Sequence, residues 1–166
     1  NVQGVYHQVG GHAIPDDAVA DLDYLFRHAR EQGILSIGIG DGGNEIGMGI
    51  IVEEVRRIIP PAKKCDCPCA GGSAAVTATD YLLTATVSNW GATALEGALA
   101  ITSGHPKVLH TVEMDRRVLE ACVKAGGIDG GVSYGTELAV DDVPWAGYKA
   151  IIELVNDIFR RAFNQY

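Results

Sequence analysis

The pattern of apolar and polar positions predicts five helices. In residues 15–32, 45–59 and 114–125, apolar side chains recur every three or four positions, as on the buried face of an amphipathic helix. Gly33 ends the first helix, and Ser88 is a favourable N-cap for a further helix that ends before Gly104. The predicted helices therefore span residues 15–32, 45–59, 88–102, 114–125 and 145–163.

Short apolar runs between these helices predict strands. Residues 34–39 and 81–87 are almost entirely apolar, which is typical of strands covered on both faces. Residues 63–79 show no clean period, and we interpret them as a strand followed by a loop. Strands that alternate with helices indicate right-handed crossovers and a parallel sheet. The sequence thus predicts one α/β domain over residues 1–166, Rossmann-like, with three α/β/α layers around a mainly parallel sheet.

Two loops are predicted at the same edge of this sheet. Residues 40–45 follow the first strand, and residues 88–91 follow the second. In open parallel sheets, ligands bind beyond the carboxyl ends of the strands. The side chains of these loops are therefore the first candidates for chemistry.

Composition and charge narrow the classes of partner. The chain has 166 residues and a formal charge of −8, which would repel a phosphate backbone. Apolar residues make up 47% of the chain, enough for a core, yet the apolar runs fall far short of the roughly 20 residues that cross a bilayer. We expect neither a nucleic-acid partner nor a membrane span, and the sequence is compatible with an oligomer.

Three of the four cysteines alternate along the chain, at Cys65, Cys67 and Cys69. On an extended strand they would point to one side without bridging each other, which favours a reduced, intracellular compartment. This spacing differs from the Cys-x2-Cys pairs of structural zinc sites, and the cluster is single, so the pattern argues against zinc. His7 and His12, five residues apart, define no ligand geometry and are interpreted as structural.

The most unusual stretch is the glycine-rich loop at residues 38–49. Its Gly-x-Gly-x-x-Gly spacing matches a dinucleotide loop, but Asp41 and Glu45 would repel a pyrophosphate, so no nucleotide cofactor is expected. Both acids are predicted at a helix start, where they should stay ionised. They could coordinate Mg²⁺ or Mn²⁺, with Asp129 as a further ligand, contact an ammonium group or act as a general base. The alternative is that Asp41 only caps the helix and that Glu45 and Asp129 are surface acids.

The second loop reads Ser88-Asn89-Trp90-Gly91 and suits a carboxylate. A helix start presents free N–H groups, and an Asn amide both donates and accepts. The alternative is a Ser cap followed by a Trp that anchors the core. The predicted substrate-binding residues of the two loops are Gly42, Gly43, Asn44, Ser88 and Asn89.

Several motifs together resemble the C-terminal domain of the D-glutamate cyclase family. The longest is Gly-Asp-Gly-Gly-Asn-Glu-Ile-Gly-Met-Gly at residues 40–49, followed by Val-Ser-Asn-Trp-Gly at residues 87–91. Gly-Val-Tyr-His at residues 4–7, Thr-Asp-Tyr at 79–81 and Val-Asp at 140–141 extend the resemblance over nearly the whole chain. It implies a lyase of D-amino acid metabolism that converts D-glutamate to 5-oxo-D-proline and water, located in the mitochondrial matrix in animals and in the cytoplasm of prokaryotes.

The resemblance also shows where this chain departs from the family. The family domain is longer at its N-terminal side, so the fold and site are expected to be incomplete there. Residues 67–76 look like an insertion before the second strand, and Asp142 stands where the family has glycine. A metal-dependent phosphatase or other hydrolase, and a nonenzymatic module that binds small molecules, remain alternatives to the cyclase.

Overall fold

The computed structural model describes residues 5–127, 129 and 138–163, in two compact units, Asn1–Ser88 and Asn89–Tyr166. That these units form one domain stays a prediction. Among the described residues, none of the helices is both long and apolar enough to span a membrane. The elements are α1 (Leu22–Glu31), β1 (Ile37–Gly40), α2 (Val52–Ile58), α3 (Pro60–Lys63), β2 (Tyr81–Thr84), α4 (Ser88–Ser103), α5 (Val112–Lys124), β3 (Ala139–Val140), β4 (Val143–Pro144) and α6 (Trp145–Phe163).

The first unit contains the predicted parallel pair of strands. β1 and β2 lie side by side, with Ile37 opposite Tyr81 and Gly40 opposite Thr84. Both strands therefore end at the same edge, where the N–H of Ala85 donates to the carbonyl of Gly40 at 3.1 Å. The mixed helix-and-strand class and the parallel pairing are confirmed.

The predicted burial of these strands on both faces is wrong. Ile34 and Leu35 are 59% and 66% exposed and precede the paired strand, and Tyr81 is 64% exposed. One side of β1 is covered by backbone rather than by a helix, because a Cβ on Gly38 would lie only 2.6 Å from the Cα of Gly47. Glycine at both positions is what allows the two chain segments to meet.

The predicted helix over residues 15–32 is divided. A 3₁₀ turn at Asp16–Ala18 gives way to extended backbone at Val19, and α1 begins only at Leu22. The side chain of Asp21 accepts the N–H of Tyr24 at 3.2 Å and so caps α1. Helical spacing extends through both pieces, but the cap starts a new helix within it.

The helix predicted from residue 45 begins later, with a 3₁₀ turn at Gly49–Ile51 and then α2. Gly47 has φ +107° and donates its N–H to the carbonyl of Thr77 at 2.9 Å, and Gly47 and Met48 form isolated bridges with Ala78 instead of a helical turn. The strand predicted within residues 63–79 is also wrong, since α3 ends at Lys63 and the described residues 64–79 form turns and isolated bridges.

The second unit follows the sequence prediction closely, because α4, α5 and α6 lie within about two residues of their predicted bounds. The Trp90 and Tyr148 rings are 6.2 Å apart near the start of α4 and α6, and Gly97 faces Phe159 further along both helices. The two helices thus run in the same direction. Glu96 accepts hydrogen bonds from the ring and the N–H of His110, whose carbonyl accepts from buried Asn156.

The hairpin of β3 and β4 turns at Asp141 and Asp142, which both have positive φ, 50° and 63°. Two-residue turns of this kind favour Asn, Asp and Gly, which accounts for the glycine expected at 142. The carboxylate of Asp129 holds the turn by accepting both N–H groups, at 3.2 and 2.8 Å. Residues 128 and 130–137, part of a glycine-rich segment, lie outside the described residues.

Replacing Gly97 by Ala is expected to destabilise the protein. The new Cβ would lie 2.1 Å from Cδ2 of Phe159 and 2.5 Å from its Cγ, so the whole ring must move. Overpacking of this kind costs about 1–3 kcal/mol, which exceeds the gain in helix propensity. Urea denaturation measures the change, and Gly147→Ala in α6 is the control, because its Cβ meets only a methyl of Val143 at 3.3 Å. Equal stability of the two variants would contradict the packing.

Asp80 is expected to stabilise the protein in a pH-dependent way. Its carboxylate accepts the N–H and the hydroxyl of Ser36 at 2.8 and 2.9 Å, and these bonds lower its pKa below 3.8. The stabilisation is therefore present above pH 3.8 and is lost as the pH falls through the lowered pKa. Denaturation of wild type and Asp80→Asn should differ most near pH 6 and converge toward pH 2. Asp17→Asn, at an exposed position, should show no such convergence.

Candidate functional site

The loop after β1 folds around the carboxylate of Glu45. Oε1 accepts the N–H of Gly42 at 2.9 Å, and Oε2 accepts the N–H of Gly43 at 2.8 Å. The loop is joined to the following segment where the N–H of Ala75 donates to the carbonyl of Gly43 at 2.9 Å. Glu45 therefore orders the loop from inside, in the absence of a helix start at this position.

Glycine is required at two positions of this loop. A Cβ on Gly40 would lie 2.7 Å from Cγ of Met48 and 3.1 Å from Oε2 of Glu45. Gly43 has φ +93°, and a Cβ there would meet Val55 at 2.5 Å. The glycines of this loop thus allow close packing around the carboxylate of Glu45. In a dinucleotide-binding loop, by contrast, glycines allow the backbone to approach the pyrophosphate.

Burial raises the pKa of Glu45, and a hydrogen bond with the carboxyl group of Asp41 raises it further, whereas the N–H of Gly42 lowers it. The sequence predicted an ionised Glu45 because it predicted a helix start here, and that start lies further along the chain. Two neighbouring carboxyl groups of which one is pushed upward can share a proton. The loop therefore presents an acid–base pair.

The two predicted loops meet at Asp41. The N–H of Ser88 donates to Oδ2 of Asp41 at 2.8 Å, which joins the loop after β1 to the start of α4. Asp41 is exposed, so its carboxyl group is accessible to a small molecule. The convergence of the two crossover junctions thus follows from the parallel pairing of β1 and β2.

The predicted substrate-binding amides have partners of their own. Nδ2 of Asn44 donates to the carbonyl of His7 at 3.2 Å. In the second unit, the side chain of Asn89 forms a hydrogen bond with Tyr148, whose pKa is raised mainly by desolvation and by Asp115. A substrate role for these amides, and for Gly42, Gly43 and Ser88, stays a prediction.

The predicted Mg²⁺ or Mn²⁺ ligands Asp41, Glu45 and Asp129 also stay a prediction. The structure shows that both oxygens of Glu45 and both oxygens of Asp129 accept backbone N–H groups. Hard divalent cations prefer carboxylate oxygens with lone pairs directed at the ion. Glu45 and Asp129 therefore hold turns, and each of their oxygens keeps a lone pair for a further partner.

A second cluster, which the sequence did not predict as a site, lies in the first unit. His7, Cys65, Cys67 and Cys69 place one potential ligand atom each within 4.8 Å of all the others, which makes them a candidate metal site. Nε2 of His7 is 3.2 Å from Sγ of Cys67 and 3.5 Å from Sγ of Cys69. The alternating cysteines could have signalled this site, but the fourth ligand lies about sixty positions away.

The thiols of this cluster influence one another. Desolvation raises the pKa of Cys65, but hydrogen bonds with the Cys67 and Cys69 thiols outweigh it and lower this pKa to about 6. The same hydrogen bonding with Cys67 raises the pKa of Cys69 to about 11. Cys65 thus ionises more readily than Cys69, and thiolate is the form that binds metals.

Comparison with known proteins identifies the family. The profile described as "D-glutamate cyclase-like, C-terminal" matches residues 1–156. The chain belongs to the D-glutamate cyclase-like family. The resemblance carried by residues 40–49 and 87–91 is thereby confirmed.

One relative of this D-glutamate cyclase-like chain is the human protein named "D-glutamate cyclase, mitochondrial". The two are 43% identical over 84 residues, which is 50% of this chain and 12% of the human protein. The chain therefore spans a small part of the relative's length. The matched segment supports the family, and the activity of the whole relative is a separate question.

Within this D-glutamate cyclase-like domain, the described geometry offers two kinds of chemistry. The pair of Asp41 and Glu45 can take up and release a proton at the carboxyl edge of β1. The cluster of His7 with three cysteines offers soft ligands to a metal ion. The two sites are joined by the hydrogen bond from Asn44 to the backbone of His7.

Proposed function

We propose that this domain cyclises D-glutamate to 5-oxo-D-proline with loss of water. The observation that carries the proposal is the pair of Asp41 and Glu45 at the carboxyl edge of the parallel strands. The family membership and the name of the human relative support the choice of this reaction. An acidic amino acid or a related small carboxylate is the expected substrate class.

The reaction sets two demands on the protein. The amine nitrogen forms a bond to the carbon of the distal carboxyl group, and one oxygen of that group leaves as water. The ammonium must therefore lose two protons, and the leaving carboxylate oxygen must gain two to depart as water. A proton donor or a cation must neutralise the charge that develops on that oxygen. Holding the five-membered-ring geometry contributes further rate through proximity.

We assign the proton transfers to Asp41, with Glu45 acting through it. Asp41 is exposed, takes the two protons of the substrate nitrogen in turn and passes each to the leaving oxygen. Glu45 is enclosed by the loop, and its raised pKa lets the pair retain a proton for the leaving oxygen. Glu45 is therefore a positioning residue in this proposal, and Asp41 is the catalytic one.

A divalent ion is the alternative source of charge neutralisation. Mg²⁺ or Mn²⁺ held by Asp41 and Glu45 would neutralise the charge on the leaving oxygen directly. The raised pKa of Glu45 favours the proton route, because a carboxyl group must give up its proton to bind an ion.

Replacing Asp41 by Asn is expected to lower oxoproline formation from D-glutamate by about 10²–10⁴-fold, the usual contribution of a general base. The amide oxygen can still accept the N–H of Ser88, so the fold should be retained. Chromatographic assay of 5-oxoproline together with circular dichroism measures both effects. Asp17→Asn is the matched control at an exposed position of the same unit. Undiminished turnover by folded Asp41→Asn would exclude Asp41 from the chemistry.

The acidic limb of kcat/KM is expected to lie above pH 4.5, the ordinary pKa of a glutamate, because the folded protein raises the pKa of Glu45. In Glu45→Gln, this limb should shift or disappear, whereas a purely structural role would lower activity equally at all pH values. Profiles from pH 4 to pH 9 for both proteins make the comparison. Glu54→Gln, which is exposed on α2, should reproduce the wild-type profile.

Simple assays distinguish the proposed cyclase from two alternative functions. A metal-dependent phosphatase would release phosphate only with Mg²⁺ or Mn²⁺ and would not turn over D-glutamate. A nonenzymatic binding module would bind D-glutamate saturably in calorimetry without forming product. Assays with D- and L-glutamate side by side also determine the stereochemical preference.

Three finer statements accompany this proposal. We propose that the chain contributes to a three-layer α/β/α fold, since β1 and β2 are parallel and are followed by helices. We assign the activity to the carbon–oxygen lyases, because water is the leaving group. A mitochondrial location is proposed for a eukaryotic source from the name of the human relative, and a cytoplasmic one for a prokaryotic source.

A further inference from the structure

Four soft ligand atoms converge in the first unit, at a place that the proposed cyclisation does not use. The sulfur of Cys65 is 3.3 Å from those of both Cys67 and Cys69, and the last two are 2.9 Å apart. Nε2 of His7 completes the group. His7 and Cys65 are 5% and 3% exposed, so the cluster is largely shielded from solvent.

Two turns build the cysteine side of this cluster. The N–H of Ala70 donates to the carbonyl of Cys67 at 3.1 Å, and Ala70 has φ +49°. Gly72 has φ +75° and lies so close to the carbonyl of Ala62 that a Cβ would come within 2.1 Å of its oxygen. The sequence interpretation as a strand was wrong here, and the turns direct the three sulfurs to a common point.

A hairpin supplies the histidine. The N–H of Gln8 donates to the carbonyl of His12 at 2.9 Å, and the N–H of Ile14 donates to the carbonyl of Tyr6 at 2.8 Å, which places His7 opposite Ala13. At the hairpin turn, Gly11 has φ +86°, and a Cβ there would lie 3.7 Å from the Cα of Cys65. The hairpin and the cysteine turn are therefore packed together through small residues.

Three sulfurs and one imidazole form the donor set of a structural zinc site. Zinc bonds of about 2.3 Å to sulfur in a tetrahedron separate the sulfurs by about 3.8 Å. The three sulfur separations of 2.9–3.3 Å are slightly shorter, so small outward movements of the side chains would admit the ion. Soft thiolates select zinc over Mg²⁺ and Mn²⁺, which prefer oxygen.

A disulfide is the competing use of these thiols. A disulfide bond is about 2.05 Å long, shorter than any of the three sulfur separations, and pairing two of the three sulfurs would leave the third without a counterpart. Nor would a disulfide use the imidazole nitrogen that faces Cys67 and Cys69. The presence of a buried histidine among the thiols is what favours a metal ion.

We propose that His7, Cys65, Cys67 and Cys69 bind one zinc ion that fastens the hairpin of residues 6–14 to the cysteine turn. The carbonyl of His7 accepts from Asn44, and the carbonyl of Val9 accepts from Ser73 at 3.2 Å. The ion therefore stabilises the hairpin to which Asn44, in the loop around Glu45, is hydrogen-bonded, and it does not contact the substrate.

The test is zinc content of the full chain, purified without chelators and under reducing conditions, by mass spectrometry of the metal. We expect about one zinc per chain in wild type and about a tenth of that or less in Cys67→Ser and Cys69→Ser, since each variant removes a ligand. Cys122→Ser is the matched control, because Cys122 is an exposed free thiol in α5. His7→Ala against His12→Ala repeats the comparison for the imidazole.

Wild-type protein alone provides a second readout if the variants do not fold. Removing the metal with a chelator should lower the thermal midpoint, and Zn²⁺ but not Mg²⁺ should restore it. Co²⁺ in its place should give the thiolate charge-transfer and d–d absorption of a tetrahedral site. Substoichiometric zinc after reconstitution, equal loss in Cys122→Ser, or an intact mass two hydrogens lighter with no metal would overturn the proposal.

Discussion

The loop after β1, at the edge where the two parallel strands end, is organised around the carboxylate of Glu45. A loop that closes on a half-buried acid must supply N–H donors, and Gly42 and Gly43 donate to one oxygen each. A Cβ on Gly42 would lie 3.1 Å from the acid, and one on Gly43 would meet Val55 at 2.5 Å, so the loop is closely packed. The same loop conformation places the carboxylate of Asp41 where it accepts the N–H of Ser88.

The arrangement that orders the loop also raises the pKa of Glu45, and this raised pKa is what makes the loop chemically useful. A half-buried carboxylate beside a second carboxyl group resists ionisation, and the loop N–H groups only partly compensate. The folded loop therefore favours the protonated form of Glu45 more than water does. Such a preference is useful in a reaction that moves two protons from an ammonium group to a leaving oxygen, and it would be a liability in a site that only binds a cation.

The sequence predicted the second unit better than the first for a physical reason. The bounds of α5 and α6 follow from local signals, namely the cap at Thr111, the glycines after α5 and a long amphipathic pattern. In the first unit, tertiary contacts override the pattern. Gly47 adopts a left-handed conformation because it packs on Gly38, and that contact delays α2 although the apolar spacing of residues 45–59 is helical. Apolar spacing indicates which face of a helix is buried, but it does not reveal a backbone contact between Gly38 and Gly47, nine positions apart.

The same reasoning explains what was predicted of the sites. The meeting of Asp41 with Ser88 follows from topology, since adjacent parallel strands end together, and the sequence could reveal it. The cluster of His7 with the cysteines depends on a hairpin that folds back onto a turn, and no spacing encodes that. Cys67 and Cys69 lie in a segment, residues 67–76, that looks inserted relative to the family, and Cys65 lies just before it. A longer connection loses more entropy on ordering, and a metal crosslink within it offsets that loss while holding His7, whose carbonyl anchors Asn44. Two of the four proposed zinc ligands thus lie in the insertion. The zinc site is linked to the loop around Glu45 by the hydrogen bond from Asn44 to the carbonyl of His7.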